Sequence, residues 1–261
     1  MKIALVGNGA IARLVSSFCA ERPQIFSIVG ALGLPADTVS VGAHAIVYSV
    51  DELIALKPDL VVECAGHSAV RAVCGPVLGA GIDLVIVSTG SLADSALWKD
   101  LTTAAARSTA QVKLVAGALP GVDALASAKI AGLDGVTLTS SKPPLAWKGT
   151  PAEQSHDLGK ITARTVIYSG NARDAALTFP KNANVAATAA LAGVGFEKTQ
   201  VMLVADPAVT QNVHRLEASG KFGRMALEIH ANPSPDNPKT SHMAALSIMR
   251  VLENEAAAIV I

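Results

Sequence analysis

The sequence predicts an α/β fold: a doubly wound parallel sheet, followed by a smaller α+β domain with a mostly antiparallel sheet. Three observations predict it. Short apolar, β-branched runs alternate with helix-spaced segments over the first 120 residues. A glycine-rich turn joins the first of these runs to the first helix. Beyond residue 120, strand-like runs follow one another with few long helices between them.

The first strand is Lys2 to Val6, an apolar run of the kind buried in a parallel sheet. It stops at Gly7, and Ile11, Leu14, Val15 and Phe18 then recur at helical spacing. Strand, turn and helix meet in a G-x-G-x-x-A pattern carried by Gly7, Gly9 and Ala12. Gly7 permits a tight turn, Gly9 lets the backbone approach a pyrophosphate, and Ala12 lets helix and strand pack closely. A phosphate would sit at the helix N-terminus, where N–H groups and the dipole favour negative charge. This context makes the turn a Rossmann-type dinucleotide site, with Gly7, Gly9, Ala10, Ile11 and Ala12 as its cofactor-binding candidates.

A second strand is predicted over Phe26 to Leu32. Its end, Gly30-Ala-Leu-Gly-Leu-Pro35, carries neither an acid for a ribose hydroxyl nor an arginine for a 2′-phosphate, and Asp37 is the nearest acid. NAD and NADP both stay open. A strand over Ala45 to Tyr48 leads to Ser49-Val-Asp-Glu52, a capping-box start to a brief helix. Strands over Leu60 to Glu63, Leu84 to Val87 and Val112 to Ala116 alternate with a helix through Val70, Val73 and Val77 and another over Ser91 to Ala106. Ligand groups are expected at the carboxyl ends of these strands: Gly7 to Ala12, Ala65 to His67, Ser88 to Gly90 and Gly117 to Val122.

Further on, strands are predicted over Val136 to Lys142, Thr165 to Tyr168, Val201 to Ala205, Asn212 to Glu217 and Met225 to Ile229. A helix of small residues spans Asn184 to Leu191, and Asn232 to Pro238 reads as a turn-rich loop. Residues 241 to 256 form an amphipathic helix with Leu246, Met249 and Leu252 on one face. The division expected is a dinucleotide-binding domain at 1–120, a substrate-binding and dimerisation domain at 121–238, and a C-terminal helix within 239–261 packing back on the first.

Composition narrows the chemistry. The chain has 261 residues, 51% of them hydrophobic, and zero net charge, so it is globular and shows no electrostatic footprint for nucleic acid or anionic membrane. Cys19, Cys64 and Cys74 form no C-x-x-C pair and read as thiols of a reducing compartment. No leader and no membrane-length apolar run is recognised, so a cytoplasmic protein is expected. The six histidines make no H-x-x-x-H or H-E-x-x-H pattern, and hydrolase and phosphoryl-transfer motifs are missing. His67 stands at a strand end where ligands bind, whereas His214 alternates with Leu216 and Ala218 and on its own reads as a core histidine.

Several segments together resemble the L-aspartate dehydrogenase family. They are Gly7-Asn-Gly-Ala-Ile-Ala12, Gly117-Ala-Leu-Pro-Gly-Val-Asp-Ala-Leu125, Lys181-Asn-Ala-Asn-Val-Ala-Ala187, Asn212-Val-His214 and Asn237-Pro-Lys-Thr-Ser241. The resemblance implies NAD- or NADP-dependent oxidative deamination of L-aspartate to iminoaspartate, or to oxaloacetate and ammonia, in the service of NAD biosynthesis. It also implies a homodimer. It places the active-site histidine on His214 and nucleotide contacts on Ala118 and Asn184. An imidazole titrating near neutrality suits the proton transfers. Lys142, Lys239, Thr240 and Ser241 are candidates for the substrate carboxylates on chemistry alone. A related reductase, of the dihydrodipicolinate reductase or homoserine dehydrogenase kind, and a non-catalytic dinucleotide-binding redox sensor are the competing readings.

Overall fold

The computed structural model describes residues 1–33, 44–180, 184–234 and 237–260, with the backbone path alone for 237–240. The chain forms two compact units, Met1–Val115 with Ala244–Ile261, and Ala116–Met243.

In the first unit the elements follow in order: β1 (Lys2–Val6), α1 (Ala10–Ala20), β2 (Ser27–Leu32), β3 (Ile46–Val47), α2 (Val50–Ala55), β4 (Leu60–Glu63), α3 (His67–Gly79), β5 (Asp83–Ile86), α4 (Ser95–Arg107) and β6 (Val112–Leu114). The strands lie in the order β3-β2-β1-β4-β5-β6, every pair parallel. Strand order reverses beside β1, which puts the glycine turn at the switch point where such sheets bind ligands. The central strands are apolar on both faces because helices cover both: Ile3, Leu5, Val61, Val62, Leu84 and Val85 are fully buried. The predicted helix over Ser91 to Ala106 is in fact two elements, a 3-10 turn (Thr89–Ala93) and α4. Asp94 separates them by accepting hydrogen bonds from the N–H groups of Ala96 and Leu97, an N-cap that fixes where the helix starts.

The second unit contains α5 (Val122–Ala131), β7 (Leu133–Lys142), α6 (Ala152–Ser155), β8 (Thr165–Asn171), α7 (Ala172–Thr178), α8 (Asn184–Ala192), β9 (Gln200–Ala205), β10 (Asn212–Gly220), β11 (Gly223–Ala231), β12 (Pro233–Ser234) and β13 (Asn237–Ser241), leading into α9 (His242–Ala256). Its five-stranded sheet runs β11-β10-β7-β9-β8. All pairs are antiparallel except β7 with β9. Leu138, Leu203 and Leu216 are fully buried on one face, which α5 and α8 pack against. The small residues of α8 allow this: Ala186, Ala187, Ala189 and Ala190 are completely enclosed.

Two expectations are corrected here. The tract at Asn232–Pro238 contributes a short antiparallel hairpin, β12 with β13, rather than only a loop, because Pro233 pairs with Ser241 and Ser234 with Asn237. On α9 the buried face is Ala245, Ile248 and Leu252, while Leu246 points outward at 39% exposure. Ile248 and Leu252 join the core cluster of Ile3, Leu5, Val62 and Val85. Among the described residues no helix is long and apolar enough to cross a membrane, and no cluster of His, Cys, Asp and Glu could hold a metal ion.

Candidate active site

In the first unit the dinucleotide turn is built as its sequence requires. Gly7 has φ +94°, a left-handed conformation that favours glycine, and its N–H donates to the Leu32 carbonyl at 2.8 Å. A Cβ on Gly7 would lie 2.9 Å from the Ala65 Cβ, so the turn also depends on close approach to the β4–α3 connection. Gly9 is the N-cap of α1, has no side-chain cap, and has open space where a Cβ would be. Ala10 and Ile11 begin the helix and Ala12 is wholly buried against the sheet. An uncapped helix start behind an unobstructed glycine fits a dinucleotide pyrophosphate. The end of β2 supplies no acid or arginine through Gly33, and Asp37 lies outside the described residues.

The sequence did not single out Glu63. Its carboxylate is fully buried at the end of β4 and accepts from the N–H groups of Ala65 at 2.8 Å and Gly66 at 2.7 Å. It also accepts from the N–H of Val87 at 3.3 Å, and from the N–H and hydroxyl of Ser88 at 3.0 and 2.9 Å. One side chain therefore ties the turn after β4, which supports Gly7, to the turn after β5. The same carboxylate, together with burial, pushes the Cys64 and Cys74 thiols up, burial being the larger cause, so both stay protonated.

In the second unit His214 and Lys142 come together. Strand pairing sets His214 of β10 directly opposite Ser140 of β7, and Lys142 lies two residues on, facing the same side. The Ser140 hydroxyl and His214 Nδ1 are 2.9 Å apart. All three residues are buried, at 0%, 3% and 6% exposure for Ser140, His214 and Lys142. The Lys142 ammonium lies 5.4 Å from the centre of the Trp147 ring, and the Trp147 indole is itself held by the Val204 carbonyl at 3.1 Å. Burial brings the Lys142 pKa down to about 8. Burial first, and the Lys142 charge second, push His214 down to about 3. His214 is thus a neutral imidazole at physiological pH, unlike the near-neutral titration expected for it. Its Nδ1 is engaged by Ser140, which leaves proton chemistry to Nε2.

The remaining candidates are spread over this unit. Ala118 is buried in the loop before α5, between Gly117 and Gly121, whose φ values of +62° and +64° shape that turn. Asn184 is the first residue of α8, while Lys181 and Asn182 lie outside the described residues. Lys239 and Thr240 fall on β13, where the backbone alone is described, and Ser241 is buried at its end. His67 opens α3 in the first unit. His230 is exposed and bonded to Glu228 at 2.9 Å.

Comparison with known proteins identifies the family. The family model "Aspartate dehydrogenase, C-terminal" matches residues 123–255, and "Homoserine dehydrogenase, NAD binding domain" matches residues 7–114. L-aspartate dehydrogenase of Polaromonas sp. is 44% identical over 266 aligned positions that span 100% of both chains. That of Ralstonia nicotianae is 51% identical over 203 positions, covering 78% of this chain and 76% of the relative. Among solved structures, aspartate dehydrogenase from Thermotoga maritima superposes with a TM-score of 0.78 at 26% identity, covering 100% of this chain and 99% of that one. The chain belongs to the aspartate dehydrogenase family, and its first unit carries an NAD(P)-binding domain of Rossmann type.

Proposed function

We propose that the protein oxidises L-aspartate with NAD or NADP to iminoaspartate, which water converts to oxaloacetate and ammonia. The observation that carries this reading is the buried trio of His214, Ser140 and Lys142 in a chain of this family. The bound nicotinamide supplies the acceptor for the hydride leaving the substrate Cα. Gly7, Gly9, Ala10, Ile11 and Ala12 hold the dinucleotide through backbone N–H groups, and the family resemblance assigns further nucleotide contacts to Ala118 and Asn184.

His214 Nε2 takes the proton that the substrate ammonium must lose before hydride transfer and releases it to solvent. It then takes a proton from the water that attacks the imine and gives it to the departing ammonia. With its pKa at about 3, the unliganded imidazole is a weak base. A substrate carboxylate beside Lys142 offsets the cation that helps depress it, so basicity rises when substrate is present. Lys142, Lys239, Thr240 and Ser241 are the groups proposed to face the two carboxylates. In the cell the reaction would feed NAD biosynthesis, from a cytoplasmic homodimer. The test is absorbance at the reduced-nicotinamide band with L-aspartate and either cofactor. Signal with L-aspartate but not D-aspartate, L-glutamate or L-homoserine is expected. A flat trace in both directions, including oxaloacetate with ammonia, overturns the reading.

A further inference from the structure

We infer that Ser234, Ser241 and His242 form a subsite for a carboxylate group of the substrate, built into the β12–β13 hairpin where it enters α9. The inference rests on the reading of the substrate as a dicarboxylic amino acid. Among the described residues, four buried side-chain polar atoms have no hydrogen-bond partner, and three of them are here: Ser234 Oγ, Ser241 Oγ and His242 Nδ1. Ser234 and Ser241 are 3% and 8% exposed, so water does not replace the missing partners. The chain has withdrawn these groups from solvent without satisfying them, a destabilising arrangement unless something else completes it.

Backbone pairing places the three in one short hairpin and the helix start that follows it, with a shift in register between Pro233 and Ser234. Pro233 pairs with Ser241, Ser234 with Asn237, and the His242 N–H donates to the Asn232 carbonyl at 3.0 Å. The Asn232 side chain in turn accepts from the Gln211 amide, one residue before β10 begins. Strand register fixes which end of the sheet this is. Ala231, the last residue of β11, pairs with Asn212, and Val213 pairs with Ser141. The hairpin therefore leaves the sheet at the end that carries His214 and Lys142.

The chemistry of the group selects the ligand. Two hydroxyls and an imidazole nitrogen can each donate a hydrogen bond, and a carboxylate has about four lone-pair sites to accept them. The ligand would lie at the start of α9, a helix of 15 residues whose N-terminal dipole favours an anion. Ser241 thereby gains partners in its role, and Ser234 and His242 enter it.

The experiment compares wild type with Ser234→Ala, Ser241→Ala and the double variant, using L-aspartate turnover, NADH binding and thermal unfolding with and without succinate as an unreactive dicarboxylate. The double variant is expected to raise KM for L-aspartate at least tenfold, leave NADH affinity unchanged, and lose the rise in Tm that succinate gives wild type. Without ligand its Tm should equal or exceed that of wild type, because unsatisfied hydroxyls have been removed. Ser241→Thr, which keeps the hydroxyl, should restore part of the KM. A double variant with wild-type KM and a wild-type succinate shift overturns the subsite. If wild type binds NADH yet neither oxidises L-aspartate nor responds to succinate, the functional reading itself fails.

Discussion

Two places in this molecule bury ionisable side chains at strand ends, and they treat them in opposite ways. At the junction of β4 and β5, Glu63 is enclosed among N–H and hydroxyl donors from Ala65, Gly66, Val87 and Ser88. At the end of β7 and β10, Lys142 and His214 are enclosed with their proton affinities both depressed, and the neighbouring hairpin keeps Ser234, Ser241 and His242 without partners. The first arrangement is complete without a ligand. The second places a cation and a neutral base together in low dielectric, where burial is the main cause of both depressed proton affinities. On the proposed reading, the satisfied polarity at Glu63 serves architecture and the unsatisfied polarity beside His214 serves chemistry.

The sharpest way to break this comparison is His214→Ala. A drop of roughly 10²- to 10⁴-fold in kcat is expected if Nε2 is the acid and base, in a variant that still folds but loses some stability from the cavity and the unpaired Ser140 hydroxyl. Normal turnover in a folded variant would make His214 a core residue after all. Glu63→Ala should show the reverse pattern, since it leaves several buried donors without an acceptor. About 3 kcal/mol or more of stability should be lost in denaturant unfolding. A variant as stable as wild type would mean that water or a neighbour takes over the Glu63 contacts.

Gly7→Val probes the turn that Glu63 supports. Its backbone stands at φ +94° and the added Cβ meets Ala65, so about 1–3 kcal/mol of strain is expected, together with weaker NADH binding by fluorescence titration. Unchanged NADH affinity would separate the turn from the cofactor.

The smallest effects concern pH. Because His214 titrates at about 3 when folded and near 6.5 when unfolded, the unfolded chain binds the extra proton between those values. Stability should fall as pH drops from 6.5 toward 3. Lys142, at about 8 folded against 10.5 unfolded, makes stability rise between pH 8 and 10.5 for the same reason. Lys142→Met should flatten the alkaline rise and lift the His214 pKa, which NMR titration can follow. It should stay below 6.5, because burial is the larger cause.

The sheets were legible because burial on both faces writes itself as continuous apolar runs, as at Leu60 to Val62 and Leu84 to Ile86. The glycine turn was legible for a similar reason: three small residues at fixed spacing have few other uses. His214 was not legible from periodicity, since its alternation with Leu216 and Ala218 is that of a core strand, and it is in fact buried like one. Family resemblance drew attention to it. Ser140 was hidden because its partnership depends on strand register across 74 residues. Glu63 was hidden because its partners are mostly backbone N–H groups, which every residue but proline carries. An acid closing an otherwise apolar strand was the available signal. The hairpin was masked by composition, the prolines and asparagines of 232–238 suggesting a loop.

The C-terminal helix has a consequence for how the chain is made. Lys113 on β6 bonds Asp83 at 2.7 Å and Glu255 of α9 at 2.6 Å, and Ile248 and Leu252 lie in the core beneath β1 and β4. During synthesis all of 116–243 emerges before these residues do. The earlier segment of this unit therefore waits for the later one to finish its core, while 116–243 between them can begin to fold on arrival. A ribosome halted after Met243 would hold a chain whose nucleotide-binding part still shows water the apolar stripe that α9 covers.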